Sequence, residues 1–298
     1  MTTLRTETWT VKRLLEWTTD FFKKKGIESA RLEAETLLAA AMGFKRIELY
    51  TNFETEPAED QRSVFRDFVK RRGAGEPVAY LVGFREFYSL RFRVNRDVLI
   101  PRPETEQLVL ESIDFLKSFP DGSTVEICDV GTGSGAIAVA IAKHRPKSPG
   151  GVTIHAVDFS RKALAVAEKN AETHSVDVRI VESNLLAAVG GPFDLIVGNL
   201  PYISATEYEA LPDDVRNFEP KSALFAGPAG TEIIERLLVE APAKLKFGGR
   251  LLLEISPMIA KRVIALFGND WSDVLLLNDL AGQVRIVSAT KKSPNVKE

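Results

Sequence analysis

The chain has 298 residues, of which 45% are hydrophobic and 27% are charged, and its 39 Lys and Arg residues nearly balance 41 Asp and Glu residues. This composition is typical of a globular protein of about two domains, and the formal charge of -2 argues against a strongly basic nucleic-acid binder. The single cysteine excludes an intramolecular disulfide framework, a cysteine-rich zinc site and an iron–sulfur cluster.

The sequence also carries information on the compartment. No apolar run reaches the ~18 residues that cross a bilayer, and residues 1–25 lack the apolar stretch of a secretory signal. Glu7 and Glu16 argue against a transit peptide, which avoids acidic residues. We therefore expect a cytoplasmic protein with no membrane partner.

Helical spacing dominates the first part of the chain. Apolar residues recur at this spacing from Val11 to Phe22, and Gly26 follows as a stop signal. Ser29 is expected to cap a second helix that ends near Ala41.

A third helix is expected to begin near Pro57, so residues 1–75 are predicted to form a small all-α domain. The domain ends in a basic cluster, residues 70–72, for which a solvated helix end is the default interpretation and a docking surface is the alternative. Residues 76–103 then read as a connector, in which the apolar–polar alternation of residues 84–94 predicts a β-hairpin.

Residues 104–298 show strands that alternate with helices. The predicted strands cover residues 124–130, 153–158, 178–183, 193–199, 250–255, 274–277 and 284–288. The predicted helices cover residues 104–117, 136–143, 161–173, 231–244 and 257–267. This order predicts an α/β fold with a parallel, Rossmann-like sheet covered on both faces and an antiparallel hairpin at one edge.

A glycine-rich loop leaves the first strand of this region and opens a helix. Residues 129–136 read DVGTGSGA, which lacks both the third glycine of G-x-G-x-x-G and the lysine of a P-loop. Glycines allow a tight turn and let a ligand approach the backbone, and the helix N-terminus adds unpaired N–H groups. Asp158 ends the next strand, where a carboxylate can accept hydrogen bonds from both ribose hydroxyl groups of a nucleoside.

Another unusual group follows the strand that ends near residue 199. Asn199 offers a side-chain oxygen and Leu200 a backbone carbonyl as hydrogen-bond acceptors, and Pro201 and Tyr202 follow directly. Tyr202 adds a flat face, so the group fits a planar substrate that carries an NH₂.

These motifs resemble S-adenosylmethionine-dependent amino-methyltransferases, and four further stretches narrow the resemblance to the HemK/PrmC family. The four stretches are EPVAYLVG at residues 76–83, REFY at 85–88, LIPRPETE at 99–106 and FEP at 218–220. Members of this family methylate the glutamine side chain of the Gly-Gly-Gln loop in class-one peptide release factors. The resemblance therefore implies S-adenosylmethionine as cofactor and a class-one release factor as partner, without stable nucleic-acid binding.

The resemblance also implies roles for individual residues. The residues expected to bind the cofactor are Gly131, Thr132, Gly133, Ser134, Gly135, Asp158, Asn184, Leu185 and Asn199. The residues expected to bind the substrate amide and to carry the catalysis are Asn199, Leu200, Pro201 and Tyr202. The three histidines lie in unrelated segments, so no metal is expected, and the helical domain is expected to hold the protein substrate.

Two positions depart from the family pattern. The family motif usually reads Asn-Pro-Pro-Tyr, and this chain has Leu200 at the second position, as in rRNA adenine dimethyltransferases. Proline would fix φ, so leucine must be held by its surroundings. Relatives often carry an acidic residue at the position of Asn184, which can still accept a hydrogen bond through its oxygen.

Two other functions stay open at this point. Leu200 and the basic cluster at residues 70–72 fit an adenine-N6 methyltransferase of RNA or DNA, although the near-neutral charge argues against it. The other alternative is an interaction protein that binds the cofactor without catalysis, against which the intact Asn199 and Tyr202 argue.

Overall fold

The computed structural model describes residues 8–279 and 281–293. The helices are α1 (Val11–Lys24), α2 (Ala30–Met42), α3 (Arg46–Thr51), α4 (Glu59–Gly73), α5 (Val78–Val82), α6 (Glu106–Leu116), α7 (Ala136–His144), α8 (Arg161–His174), α9 (Ala205–Glu209), α10 (Asp213–Phe218), α11 (Glu232–Lys244) and α12 (Ala260–Ala265). The strands are β1 (Phe84–Phe87), β2 (Leu90–Arg93), β3 (Thr124–Val130), β4 (Gly151–Asp158), β5 (Arg179–Glu182), β6 (Phe193–Gly198), β7 (Ile203–Ser204), β8 (Phe225–Gly227), β9 (Leu245–Glu254), β10 (Trp271–Asn278) and β11 (Val284–Lys291).

The chain divides into two compact units. The first unit runs to Gly83 and also includes Asp213–Phe218, and the second runs from Phe84 to Pro212 and resumes at Glu219. The boundary at Gly83 lies beyond the predicted boundary after residue 75, because α5 packs on α2 and α4 and buries Leu81 in their core. The role of the helical unit in substrate binding stays a prediction.

The first unit is a bundle of amphipathic helices, as the spacing of its apolar residues predicts. Helix α1 buries Val11, Leu15 and Phe22, and the Thr10 hydroxyl group accepts a hydrogen bond from the first turn. Ser29 occupies the N-cap position of α2, as predicted, but its backbone has a φ of -89° and a ψ of 34° and its side chain makes no capping hydrogen bond.

The second unit is built on a seven-stranded sheet with the strand order β10-β11-β9-β6-β3-β4-β5. Strands β3, β4, β5, β6 and β9 pair in parallel, and β10 and β11 add an antiparallel hairpin at one edge. This arrangement confirms the predicted α/β class with an antiparallel edge. The hairpin predicted in the connector is also confirmed, because β1 pairs with β2 in an antiparallel manner.

Strand order fixes where a ligand can bind in the second unit. The chain runs outward from β3 to β4 and β5 and then returns to β6 on the other side of β3. The carboxyl ends of β3 and β6 therefore flank the point where the strand order reverses, which is where open α/β sheets bind ligands. The glycine loop begins at the end of β3, and Asn199 directly follows the end of β6.

Candidate active site

A cavity of about 430 Å³ lies at this reversal point, and all of its lining residues belong to the second unit. Most of the residues predicted from the sequence line it, namely Gly131, Thr132, Gly133, Ser134, Asp158, Asn184, Leu185, Asn199, Leu200 and Pro201. Gly135 and Tyr202 are not among the lining residues. Arg102, Thr105, Phe159 and Arg236 also line the cavity, and the sequence assigned no role in binding to them.

The glycine loop is shaped by close approaches that a larger residue would block. Gly131 has a φ of 72° and Gly135 a φ of 80°, in the left-handed region that favours glycine. A Cβ atom added to Gly131 would lie 3.0 Å from Leu200 Cδ2, and one added to Gly135 would lie 3.1 Å from Ala167 Cβ. Gly131 thus lets the loop approach the cavity wall at Leu200, whereas Gly135 lets α7 pack against α8.

The N–H groups of the loop hold it to the end of β4. Those of Gly131 and Thr132 donate to the Val157 carbonyl at 2.8 and 2.9 Å, and that of Gly133 donates to Asp158 Oδ2 at 3.0 Å. These donors are therefore already paired with protein acceptors. What the loop offers a ligand is the space that its missing side chains leave open.

Asp129 lies beneath the loop and is fully buried. Its Oδ2 accepts hydrogen bonds from the Thr132 hydroxyl at 2.6 Å and the Ala138 N–H at 3.1 Å, and its Oδ1 has no partner within residues 8–279 and 281–293. Burial raises the pKa of Asp129 to about 7, and Asp158 adds to this rise. Asp129 thus ties the loop to the first turn of α7.

Asp158 ends β4 at the side of the cavity. Its Oδ2 accepts from the Gly133 N–H and its Oδ1 from the Ser160 N–H at 2.9 Å. Burial raises the pKa of Asp158, and these backbone hydrogen bonds oppose the rise. Each carboxylate oxygen keeps a second lone pair for a ligand. The ring of Phe159, the next residue, is 58% exposed and lines the same cavity.

Asn184 and Leu185 form the wall that follows β5. Asn184 Oδ1 accepts a hydrogen bond from the Arg236 guanidinium at 2.9 Å, so the predicted acceptor already has one donor. Leu185 has a φ of 52°, which is unfavourable for a leucine, and the Ser183 hydroxyl donates to its carbonyl at 2.7 Å. The Ser183 side chain thus helps to hold this turn in place.

Asn199 and Leu200 present two oxygen atoms at the end of β6. Asn199 Nδ2 donates to Thr105 Oγ1 at 3.0 Å, and no donor in the described part of the chain reaches Asn199 Oδ1 or the Leu200 carbonyl oxygen. The Leu200 side chain is only 3% exposed and packs in the core of the second unit. The buried side chain thus anchors Leu200, whose φ is not fixed by a ring as that of proline would be.

Behind the cavity wall, Tyr202 and Glu254 form a buried polar pair. The Tyr202 hydroxyl donates to Glu254 Oε1 at 3.2 Å, and burial raises the pKa values of both groups. The Thr105 hydroxyl also lies beside the Glu254 carboxyl group and lowers its pKa. Tyr202 thus points its hydroxyl group at β9, and its predicted contact with a substrate stays a prediction.

The two remaining sequence motifs meet at the cavity rim. Glu219 of the FEP stretch accepts a hydrogen bond from the Ile100 N–H at 3.1 Å and forms an ion pair with Arg102 of the LIPRPETE stretch. The Glu219 side chain is only 1% exposed. This buried carboxylate therefore anchors the segment that carries Arg102 and Thr105 into the cavity wall.

The histidines are occupied with partners in separate places. His155 contacts Glu126 at 3.2 Å, and His174 Nε2 lies 2.9 Å from the Arg91 carbonyl oxygen. Within the described residues, no group of three or more His, Cys, Asp or Glu side chains is arranged to hold a metal ion. None of the helices described is long and apolar enough to cross a membrane.

Two family models match the chain, the PrmC N-terminal domain over residues 13–83 and the methyltransferase small domain over residues 111–212. A 16S rRNA N2 methyltransferase of T. thermophilus, solved with AdoMet and guanosine, matches with a TM-score of 0.50 and 17% identity over 70% of this chain and 50% of that chain. At this level of identity the likeness concerns the fold alone.

Full-length relatives are more informative. The release factor glutamine methyltransferase of Rhodopirellula baltica is 52% identical over 290 residues, which are 95% of this chain and 97% of the relative. The release factor glutamine methyltransferase of Geobacter sulfurreducens is 38% identical over 96% of this chain and 98% of the relative. The chain therefore belongs to the release factor glutamine methyltransferase family.

Proposed function

We propose that this methyltransferase transfers a methyl group from S-adenosylmethionine to the side-chain amide nitrogen, N5, of the glutamine in the Gly-Gly-Gln motif of class-one peptide release factors. Family membership supports both the reaction and the substrate. The structural observation that carries the proposal is the pair of acceptors at the cavity, Asn199 Oδ1 and the Leu200 carbonyl oxygen.

The cavity fits S-adenosylmethionine in size and chemistry. Its volume of about 430 Å³ lies in the range of small-molecule sites. Asp158 would accept hydrogen bonds from the ribose hydroxyls, the exposed ring of Phe159 would stack on the adenine, and the glycine loop would leave room for the rest. When bound, the cofactor would supply a methyl group activated on a sulfonium sulfur: its S–CH₃ bond would break as the N–CH₃ bond forms, S-adenosyl-L-homocysteine would be the leaving product, and the amide nitrogen would lose one proton to solvent.

The amide substrate explains why two acceptors are needed. An amide nitrogen is a poor nucleophile because its lone pair is delocalised into the carbonyl group. Its two N–H groups match the two oxygens at Asn199 and Leu200, which would fix the nitrogen in one place and orientation. The same oxygens favour the positive charge that develops on the nitrogen, most strongly in a site that excludes water.

The other functions considered from the sequence are not favoured. The curated relatives that span nearly the whole chain are named release factor glutamine methyltransferases, and the family includes the helical N-terminal domain. An enzyme of nucleic acids would also be expected to carry an excess of basic residues, whereas this chain has a formal charge of -2. Asn199 Oδ1 and the Leu200 carbonyl oxygen are both available at the cavity as hydrogen-bond acceptors. Catalysis on an amide requires these two acceptors, whereas a protein that only binds the cofactor does not need them.

The helical unit is proposed to bind the release factor away from the methylated loop. It contains an apolar cavity of about 810 Å³, lined by the rings of Trp9, Trp17 and Phe21 and by basic residues such as Lys70. Trp17 stacks on Phe21 with their ring centroids 5.5 Å apart, yet 52% of Trp17 is exposed. An exposed aromatic cluster of this kind fits a protein segment as partner.

Mass spectrometry of a class-one release factor, incubated with the enzyme and S-adenosylmethionine, tests the proposal. The wild-type enzyme should add one methyl group to the glutamine of the Gly-Gly-Gln motif. Asn199→Ala should lower kcat about a hundredfold, as expected for the loss of a preorganised hydrogen-bond partner in the transition state. Asn269→Ala, which removes an exposed amide outside the cavity, is the matched control. Near-normal turnover by Asn199→Ala, or methylation of RNA instead, would refute the proposal.

A further inference from the structure

Asn199 can act as an acceptor only while its amide is held in one of two orientations. The two ends of a carboxamide have nearly the same shape, but the oxygen accepts hydrogen bonds and the nitrogen donates them. A flip of this side chain would turn its nitrogen toward the NH₂ of the substrate. In the structure the nitrogen end is held, because Asn199 Nδ2 donates to Thr105 Oγ1.

Thr105 can accept this hydrogen bond only while its own proton points elsewhere. A neighbour that can only accept hydrogen bonds fixes that direction, and an ionised carboxylate is such a neighbour. Glu254 is buried beside Thr105, and its Oε1 accepts a hydrogen bond from the Tyr202 hydroxyl. Burial raises the pKa of Glu254, whereas the neighbouring Thr105 and Tyr202 hydroxyl groups lower it and so favour the ionised carboxylate. Its Oε2 is buried without a well-formed hydrogen bond from the described residues, so the carboxylate has capacity for the Thr105 proton.

We propose that Glu254, Thr105 and Tyr202 form an orientation relay that keeps the Asn199 oxygen turned toward the amide substrate. The carboxylate of Glu254 draws the Thr105 proton, a lone pair of Thr105 faces Asn199 Nδ2, and Oδ1 is left for the substrate. Tyr202 satisfies the other oxygen of Glu254. The inference rests on the proposed function, and it makes Thr105 and Glu254 positioning residues that act through Asn199.

Burial makes the relay effective. Thr105 and Glu254 are both buried, and Tyr202 is packed against the core of the second unit. Water therefore competes little for their hydrogen bonds, and each bond direction depends on the next. The residues come from three places in the chain, the turn before α6, the segment after β6 and the end of β9, which packing brings together.

Substitution of Thr105 tests the relay directly. Thr105→Val keeps the shape of the side chain but removes the acceptor for Asn199 Nδ2. We expect kcat to fall about tenfold, which corresponds to the net free energy of one hydrogen bond. The affinity for S-adenosylmethionine should stay as in the wild type. Thr105→Ser should restore kcat. Ser112→Ala, which removes a buried hydroxyl whose partner is the Leu108 carbonyl, is the matched control and should keep full activity.

A double-mutant cycle separates orientation from ordinary structural support. Thr105→Val should lower kcat in the wild-type background but cause no further loss beside Asn199→Ala, because it acts through that side chain. Glu254→Gln should lose at least as much kcat as Thr105→Val, because a glutamine NH₂ can donate to Thr105 and reverse the relay. Additive losses in the cycle, or wild-type kcat in Thr105→Val, would overturn the orientation relay.

A readout without turnover distinguishes failure of the relay from failure of the proposed function. The side-chain NH₂ resonances of Asn199 should exchange slowly with solvent in the wild type and in Thr105→Ser, and quickly in Thr105→Val. Equal exchange in all three proteins overturns the relay. If the Asn199 NH₂ exchanges slowly but the wild-type enzyme methylates no release factor, the relay is supported and only the proposed function is refuted.

Discussion

The carboxylate of Glu219 offers a quantitative test of how the cavity rim is held. Glu219→Ala removes the acceptor of the Ile100 N–H and the partner of Arg102. A buried N–H left without an acceptor costs about 1–3 kcal/mol. The Arg102 side chain is 34% exposed and can be rehydrated, so loss of the ion pair adds only about 1 kcal/mol.

These contributions sum to about 2–4 kcal/mol of local stability, which corresponds to about thirtyfold to sevenhundredfold faster amide exchange. Hydrogen–deuterium exchange with mass spectrometry can measure this at Ile100, because Pro101 and Pro103 leave few other amides in the peptide. Glu219→Gln keeps a single acceptor oxygen and should show an intermediate effect.

Peptides from β3 serve as the internal control and should exchange at the same rate in all three proteins. Cofactor affinity should fall together with protection, because Arg102 and Thr105 line the cavity. If Ile100 were equally protected in the wild type and in Glu219→Ala, the assignment of Glu219 as the anchor of this segment would be wrong.

Two further predictions concern Asp129 and Trp17. Burial raises the folded-state pKa of Asp129 from an ordinary 3.8 to about 7, so its contribution to stability is full below pH ~4 and is lost as the pH rises through ~7. Urea unfolding should therefore show a wild-type stability that falls between about pH 4 and 7 and a flatter profile in Asp129→Asn. Parallel profiles would contradict this. Trp17→Ala should raise KM for a full release factor about tenfold and leave KM for a short Gly-Gly-Gln peptide unchanged. The control Ile47→Ala, at another exposed residue, should change neither KM. Equal changes for both substrates would remove the proposed role of the helical unit.

Local patterns were enough to predict the order and type of most elements. Continuous apolar runs indicated the parallel strands, and the glycine loop and Asn199 were placed correctly at strand ends because such motifs depend on neighbours in sequence. Helices α3 and α5 were missed because, at six and five residues, they are too short to show a helical period. Ser29 was placed correctly at the start of α2, but its side chain does not cap the helix, because residue type alone does not fix the backbone geometry that a capping hydrogen bond needs.

Pairings between distant residues could not be read from the sequence. Glu219 meets Ile100 and Arg102 only after the sheet has formed, and Thr105 reaches Asn199 in the same way. The LIPRPETE and FEP stretches were recognisable as motifs, but their interaction depends on tertiary structure. Similarly, the N–H groups of the glycine loop donate to Val157 and Asp158 because of the register in which β3 pairs with β4.

Helix α10 has a consequence for how the protein is made. Its contacts place it with the N-terminal bundle, where Asp214 lies 3.8 Å from Arg72, although it follows seven strands of the second unit in the chain. A nascent chain on the ribosome therefore cannot complete the bundle until residue 218 has left the exit tunnel, long after residue 83. Because the chain grows from its N-terminus, the first strands of the sheet can associate before the bundle has acquired its last helix.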